Sequence, residues 1–332
     1  MPAAKPSPSR SQPKLRGGID LGGTKIEAIV VDRDHKVLGS ARHPTPTTGT
    51  PADVAEQMAK AMGEAAEAAG TTTQALLGVG VGSPGSVDAK AGTVADARNL
   101  PGWSGSFPIG PTLAEQLGTR VAVGNDVQVA TDAEFKLGVG KDYDSLIGVF
   151  WGTGVGGGIV LKRRPWLGRG GAGEIGHMVV KDGGRRCGCG NRGCMEAYAG
   201  RASMERRARK LAGRGRHTKL FEIMEHRGRD RLTSSVWWRA VEHNDELATE
   251  LIAEAIDALG AGIASAVNLL DIPAVVIGGG LGVRFGEPYV RRIEHAMAPH
   301  LFVGHKPPDV RLVGLGDLGG AIGAALQVIG TA

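Results

Sequence analysis

Residues 17–32 read GGIDLGGTKIEAIVVD, and the fold turns on how this stretch is parsed. An apolar segment at Ile19 and another over residues 26–31 flank Gly22-Gly23, which predicts two strands joined by a tight turn. A strand follows the glycines rather than a helix. The stretch is therefore neither the G-x4-G-K-[ST] loop nor the G-x-G-x-x-G turn of dinucleotide binders. A strand–DxGGT–strand tip gathers backbone amides and the Thr24 hydroxyl, a group that can cradle phosphate oxygens; a plain tight turn is the alternative. Asp20 is aimed at the same place, where a carboxylate could hold Mg2+ through water. Lys25 adds either a donor or a surface charge.

Downstream, residues 35–46 look like a third strand and its exit. Residues 51–69 place Val54, Met58, Ala61, Met62, Ala65 and Ala69 on one helical face that Gly70 ends. Residues 76–81 read as a buried strand leading into Gly82-Ser83-Pro84-Gly85, the kind of turn on which α/β sheets expose ligand-binding loops. NLPGW at 99–103 is a turn whose Asn99 amide can donate and accept, or a plain surface turn. Residues 121–123 form a short strand ending in Gly124-Asn125-Asp126, with a helix over 127–137 after it. Asp126 is placed either as a general base or as a helix N-cap.

A second hairpin follows over 145–161: a strand, then Gly152-Thr153-Gly154, then a strand. It repeats the layout of the first about 130 residues later, which predicts a duplicated βββαβα unit. A nucleotide in the cleft between the halves would be gripped from both sides. Residues 195–220 are helical and charged, and residues 213–243 form a basic piece. A long amphipathic helix runs from Leu247 to Leu270. Residues 274–277 are a strand running into Gly278-Gly279-Gly280, where a ring or ribose could come close, or where the chain merely turns. A last strand (310–313) precedes a small-residue helix (319–329) that packs back on the first half. The expected division is a tail over 1–16, a small α/β domain of 17–123 with 315–332, and a large domain of 124–314.

All three cysteines fall in GEIGHMVVKDGGRRCGCGNRGCMEA, residues 173–197. With His177 they give H-x9-C-x-C-x4-C. One imidazole and three thiolates (Cys187, Cys189, Cys194) complement a closed tetrahedral zinc site, which leaves no position for a catalytic water. Glu174 and Glu196 bracket the loop that such a metal would hold.

Composition narrows the class. The 54 glycines collect in short motifs beside strands, not in a repeat, so the chain is neither collagen-like nor of low complexity. The net charge of +5 owes most to residues 1–16, which carry four positive charges, are rich in Pro and Ser, and read as a disordered tail rather than a secretory signal. Residues 201–239 are also basic. A solvated helical face explains them more simply than a nucleic-acid or polyanion surface. No stretch has the length of a membrane span, and cysteines at metal spacing indicate a reducing cytoplasm.

Taken in order, DLGGT (20–24), GSPG (82–85), NLPGW (99–103), GND (124–126), GTGVGGG (152–158), GEIGH (173–177), CGCGNRGCMEA (187–197) and GGG (278–280) resemble the motifs of ROK-family sugar kinases. That family belongs to the actin/hexokinase-like ATPases, whose two-domain α/β architecture is ribonuclease H-like. The resemblance implies an ATP-dependent kinase acting on a hexose 6-hydroxyl, glucose first and N-acetylmannosamine, N-acetylglucosamine, mannose or fructose as alternatives, with polyphosphate as another donor to test. It implies Asp126 as general base. Asn99, Glu174, His177 and Glu196 would hold sugar hydroxyls, with Gly85 and Asn125 nearby. Gly22, Gly23, Thr24, Thr153 and Gly154 would hold ATP phosphates, Gly279 and Gly280 would lie beside the adenosine, and Asp20 would position Mg2+. A homodimer is implied by the resemblance alone. A sugar-sensing repressor of the same family would carry a helix-turn-helix module before the kinase-like part, and sixteen residues before the first strand are too few for one.

Overall fold

The computed structural model describes residues 14–97 and 99–328. The chain divides into two compact units, one running to Asp126 and resuming at Gly320, the other Val127–Gly319. The crossings thus fall at 126/127 and 319/320 rather than at 123/124 and 314/315.

In the first unit, β1 (Arg16–Leu21) and β2 (Lys25–Val31) pair antiparallel, from Arg16 opposite Val31 to Leu21 opposite Ile26, so the tip is Gly22–Thr24. Then come β3 (Val37–Pro44), α1 (Pro51–Ala68), β4 (Val79–Ser83), β5 (Ser86–Asp88), β6 (Thr93–Ala95), β7 (Ser106–Phe107), α2 (Ile109–Leu117) and β8 (Val121–Asn125). The sheet order is β3-β2-β1-β4-β8, with β4 parallel to both β1 and β8. Most of the expected tail, residues 1–13, lies outside the described residues. Its last part is structured: Leu15 is buried in the core and Arg16 opens β1. The strand expected over 76–81 begins instead at Val79, because a 3-10 turn over Thr73–Ala75 occupies the approach. α1 starts on a capping box in which Thr50 and Asp53 bond each other's backbone N–H, satisfying two donors that a helix start leaves over.

The second unit repeats the pattern. After α3 (Asp126–Lys136), β9 (Leu146–Trp151) and β10 (Val155–Leu161) make the second hairpin, and β11 (Arg164–Pro165) is a two-residue remnant of a third strand. The zinc-motif loop leads to α4 (Glu196–Ala199), α5 (Arg201–Ala212), α6 (Leu220–His226), α7 (Ser234–Glu242) and α8 (Glu246–Leu270). β12 (Ala274–Gly278), α9 (Gly279–Met297) and β13 (Asp309–Leu312) complete the sheet, ordered β11-β10-β9-β12-β13. The basic piece over 213–243 is thus largely two helices. Their apolar faces, through Leu220, Val236 and Trp237, lie in the unit's core. The buried Glu134 on α3 accepts N–H bonds from Val139, Gly314 and Leu315 at 2.9–3.2 Å, which satisfies its charge and fixes the exit from β13.

The last helix, α10 (Gly319–Leu326), belongs to the first unit from Gly320 on. It lies so close to β1 and β4 that a side chain at Gly18 or Gly80 would run into the carbonyls of Ala321 and Ala324. Two duplicated α/β units with the same strand order are the actin/hexokinase-like architecture. Among the described residues no helix is long and apolar enough to cross a membrane.

Candidate active site

In the first unit, the tip Gly22–Thr24 is tied down by the chain leaving β3. Thr45 donates its hydroxyl to the Gly22 carbonyl at 2.7 Å and its N–H to the Thr24 carbonyl at 3.2 Å. Asn99 lies beside the tip, its Cβ 3.3 Å from where a side chain at Gly23 would start. Lys25 is not directed outward: its Nζ is 3.2 Å from Glu27 Oε2, which also takes Arg42 Nε at 2.6 Å. Glu27 is buried, so both cations are held by a carboxylate that water does not reach. Asp20 sits opposite Glu27 in the β1–β2 register, with its carboxylate packed on Gly320 at the start of α10. Burial pushes its pKa up to about 6; Lys25 pulls it down and Glu27 adds to the rise. A half-buried carboxyl shifted this way gains from a divalent cation, so Asp20 fits the magnesium role.

Also in the first unit, the carboxyl ends of β4 and β8 lead to Gly85 and Asn125. Asn125 Nδ2 is 3.5 Å from the Gly85 carbonyl. Asp126 is half-buried and is the first residue of α3, not a residue preceding the helix.

In the second unit the donor atoms of His177, Cys187, Cys189 and Cys194 all lie within 4.8 Å of one another. Cys189 and Cys194 sulfurs are 3.8 Å apart, and Cys187 Sγ is 3.8 Å from His177 Nδ1. Tetrahedral zinc with Zn–S bonds of about 2.3 Å requires edges of about 3.8 Å, so the set fits that ion. Burial pushes the Cys187 thiol up to about 12 and also raises Cys194, whereas a backbone hydrogen bond from Asn191 lowers Cys189. Buried thiols of this kind carry thiolate charge only when a cation compensates them. The loop's geometry comes from short antiparallel bridges, Val179 with Cys194 and Arg186 with Arg192. Arg185 ties it to Glu254 of α8 through both carboxylate oxygens, at 2.7 and 2.9 Å.

The family resemblance implies that Glu174, His177 and Glu196 surround one sugar. The structure separates their surroundings. Glu174 Oε2 is 3.9 Å from His177 Nε2, the ring nitrogen turned away from the thiols. Glu196 instead accepts the Val155 N–H at 3.0 Å with Oε2 and has Oε1 3.7 Å from Cys187 Sγ. It also abuts Gly154 so closely that a side chain there would have to displace the Glu196 carboxylate. A file of groups therefore runs from Glu174 through His177, Cys187 and Glu196 to the second hairpin.

That hairpin, Gly152-Thr153-Gly154, meets Gly279 and Gly280 within the same unit: a side chain at Gly152 would start 3.7 Å from Gly280 N. Gly279 has φ +79° and rests on the Trp151 main chain; the three glycines that could have been a plain turn lead straight into α9. Three supporting groups carry no recognisable sequence signal: Thr45, the Glu27–Arg42 pair, and Arg201, whose Nη2 donates to Thr153 Oγ1 at 2.8 Å. Each lies far along the chain from the tip it supports, or reaches it across a sheet register.

Two duplicated sheets in the same strand order, each opening with a glycine-threonine hairpin, are those of the actin/hexokinase-like class. The ROK family model matches residues 16–330. A glucokinase of Thermotoga maritima is 31% identical over 83% of this chain and 84% of its own. An N-acetylgalactosamine kinase of a Shewanella strain is 33% identical over 93% of this chain and 95% of its own. The crystal structure of a Streptomyces griseus ROK glucokinase in complex with glucose and AMPPNP aligns with a TM-score of 0.80 at 31% identity, covering 94% of this chain and 98% of that one. The chain belongs to the ROK family, among its sugar kinases.

Proposed function

We propose that the chain is a glucokinase, moving the γ-phosphoryl group of ATP to the 6-hydroxyl of glucose. The observation that carries the reading is the end of β8, where Asn125 closes the strand and Asp126 opens α3 beside the Gly85 turn. A half-buried carboxylate at the carboxyl edge of parallel strands is a proton acceptor on a rigid mount. Identity to glucokinases at about this level along most of the chain supports glucose as the first sugar to test.

In this reading Asp126 takes the proton from the 6-hydroxyl as its oxygen attacks phosphorus. Asn99, Asn125, the Gly85 turn, Glu174 and His177 Nε2 hold the other hydroxyls, since amides and carboxylates match groups that both donate and accept. Glu196 keeps Oε2 on the hairpin and offers Oε1. Gly22, Gly23, Thr24, Thr153 and Gly154 hold the phosphates by backbone and hydroxyl donors; Gly279 and Gly280 accept the adenosine. Such catalysis is positioning and electrostatics more than covalent chemistry. Asp20 would hold Mg2+, which supplies neutralisation of phosphate charge. His177, Cys187, Cys189 and Cys194 would hold zinc, which supplies rigidity to the loop.

The test is a coupled assay over glucose, mannose, fructose and the N-acetylated hexosamines, with ATP and with polyphosphate. Glucose with ATP is expected to give the highest kcat/KM. An N-acetylhexosamine ranking first would reassign the sugar, and polyphosphate ranking first the donor. Asp126→Ala is expected to lower kcat by at least about a hundredfold while sugar still binds; near-normal turnover would remove Asp126 as the base.

A further inference from the structure

We infer that Arg201 is a positioning residue for the nucleotide phosphates, acting through the hydroxyl of Thr153. The inference rests on the kinase reading above and assigns a role to a residue outside the family motifs.

Residues 201 and 202 grip the second hairpin in three ways. The Arg201 N–H donates to the Gly152 carbonyl at 3.0 Å and the Ala202 N–H to the Thr153 carbonyl at 3.0 Å. The guanidinium then bridges: Nη2 to Thr153 Oγ1 at 2.8 Å, Nη1 to the Leu232 carbonyl at 2.9 Å. Leu232 is itself buried and fixed from the other side, its N–H bonded to Glu205 Oε2 at 3.1 Å. The head of Arg201 is thus set between the Leu232 carbonyl and the hairpin hydroxyl.

The consequence is a polarity. A guanidinium can only donate, so Thr153 Oγ1 must spend a lone pair accepting from Arg201. Its own O–H is then directed elsewhere, as a donor. Phosphate oxygens are acceptors only, so this is the orientation a phosphate site needs. Without Arg201 the hydroxyl would rotate freely and could equally present a lone pair to the phosphate. The planar fork is what allows one side chain to reach both acceptors; a lysine ammonium, a point donor, does not reproduce it. Burial lowers the pKa of Arg201, Glu205 opposes that shift and Arg231 adds to it, so a partly desolvated cation stands beside the hairpin. Arg201 therefore acts directly on the hairpin that the kinase reading assigns to the phosphates.

The test is a double-mutant cycle in the zinc-loaded full chain, with steady-state kinetics on ATP and on the sugar the panel selects. Thr153→Val and Arg201→Met are each expected to raise KM for ATP about tenfold with KM for the sugar unchanged. In the Thr153→Val background, Arg201→Met is expected to add less than about twofold, the non-additivity of a shared interaction. Arg201→Lys should behave as Arg201→Met does, and Arg206→Met on the same helix should leave the kinetics unchanged. If Thr153→Val raises KM for ATP and Arg201→Met does not, or if the two effects multiply, the positioning role is wrong and the kinase reading stands. If Thr153→Val leaves ATP kinetics untouched, the assignment of the second hairpin to nucleotide falls first. Should Arg201→Met lower the melting temperature, the same cycle run with Arg201→Lys, which keeps the charge, decides between these outcomes.

Discussion

The two hairpins share a layout and differ in what holds them. The first, at Gly22–Thr24, is fixed by its own sheet: Thr45 at the exit of β3 bonds both sides of the tip. The second, at Gly152–Gly154, has only a two-residue β11 beyond β10. Its support is imported, from α5 through Arg201 and from the cysteine loop through Glu196. The two tips therefore share a layout, while the second takes part of its support from the loop that carries the four candidate metal donors. The first hairpin should be indifferent to metal and the second should not.

The strongest challenge to that contrast is Cys189→Ser. We expect loss of bound zinc and of activity together, with hydrogen exchange rising at residues 152–158 and 174–196 and staying low at 16–31; full activity in the metal-free variant, or equal loosening of both hairpins, would end the comparison. Next comes a matched pair of glycine substitutions. Gly154→Ala would drive a methyl into the Glu196 carboxylate, whereas a methyl at Gly23 comes no nearer than 3.3 Å to Asn99. Gly154→Ala is expected to cut kcat/KM by about a hundredfold, as displaced catalytic geometry does. Gly23→Ala should cost far less. Thr45→Val sharpens the other side. It removes the donor of a 2.7 Å bond from a buried position and is expected to cost about 1–2 kcal/mol, read as a lower denaturant midpoint with zinc retained.

The smallest effect concerns β3, where His43 Nε2 is 2.8 Å from Glu64 and Nδ1 is 3.1 Å from Gln57. These bonds raise the pKa of His43, the Glu64 bond most, and lower that of Glu64. A raised histidine stabilises the fold fully below its unfolded pKa, about 6.5, and the contribution is lost as pH rises through the folded value. The Glu64 side of the pair is lost only when pH falls through its own depressed value. The melting-temperature difference between wild type and Glu64→Gln should therefore be present near pH 6 and disappear in alkaline buffer. A difference that grows with pH would contradict the assignment.

How much of this was legible follows from the range of each interaction. The first hairpin, the DxGGT tip, α1, α8 and the four metal donors are local patterns, and the sequence predicts them within a few residues. The strand lies at 79–83 rather than 76–81 because Leu76 is apolar and buried yet ends a 3-10 approach, so burial alone imitates a strand. α9 was unreadable as one helix: Gly286 breaks its backbone at φ +66° and Pro288 follows. The pairing of Lys25 with Glu27 needed the strand conformation, which puts alternate residues on one face. The turning of Glu196 toward Val155, 41 residues back along the chain, had no local signal at all.

The contact of α10 with the first sheet has a consequence for the order in which the molecule can be finished. Ala321 and Ala324 lie on Gly18 and Gly80, and Gln327 Nε2 reaches the Val81 carbonyl at 3.2 Å. On a ribosome these residues emerge only after the whole of 127–319. The unit begun first is thus completed last, reversing the usual N-terminal-first sequence of domain folding. A nascent chain stalled before Gly320 is expected to hold a protease-resistant second unit and a first unit that is cut, with resistance gained when the last helix is supplied.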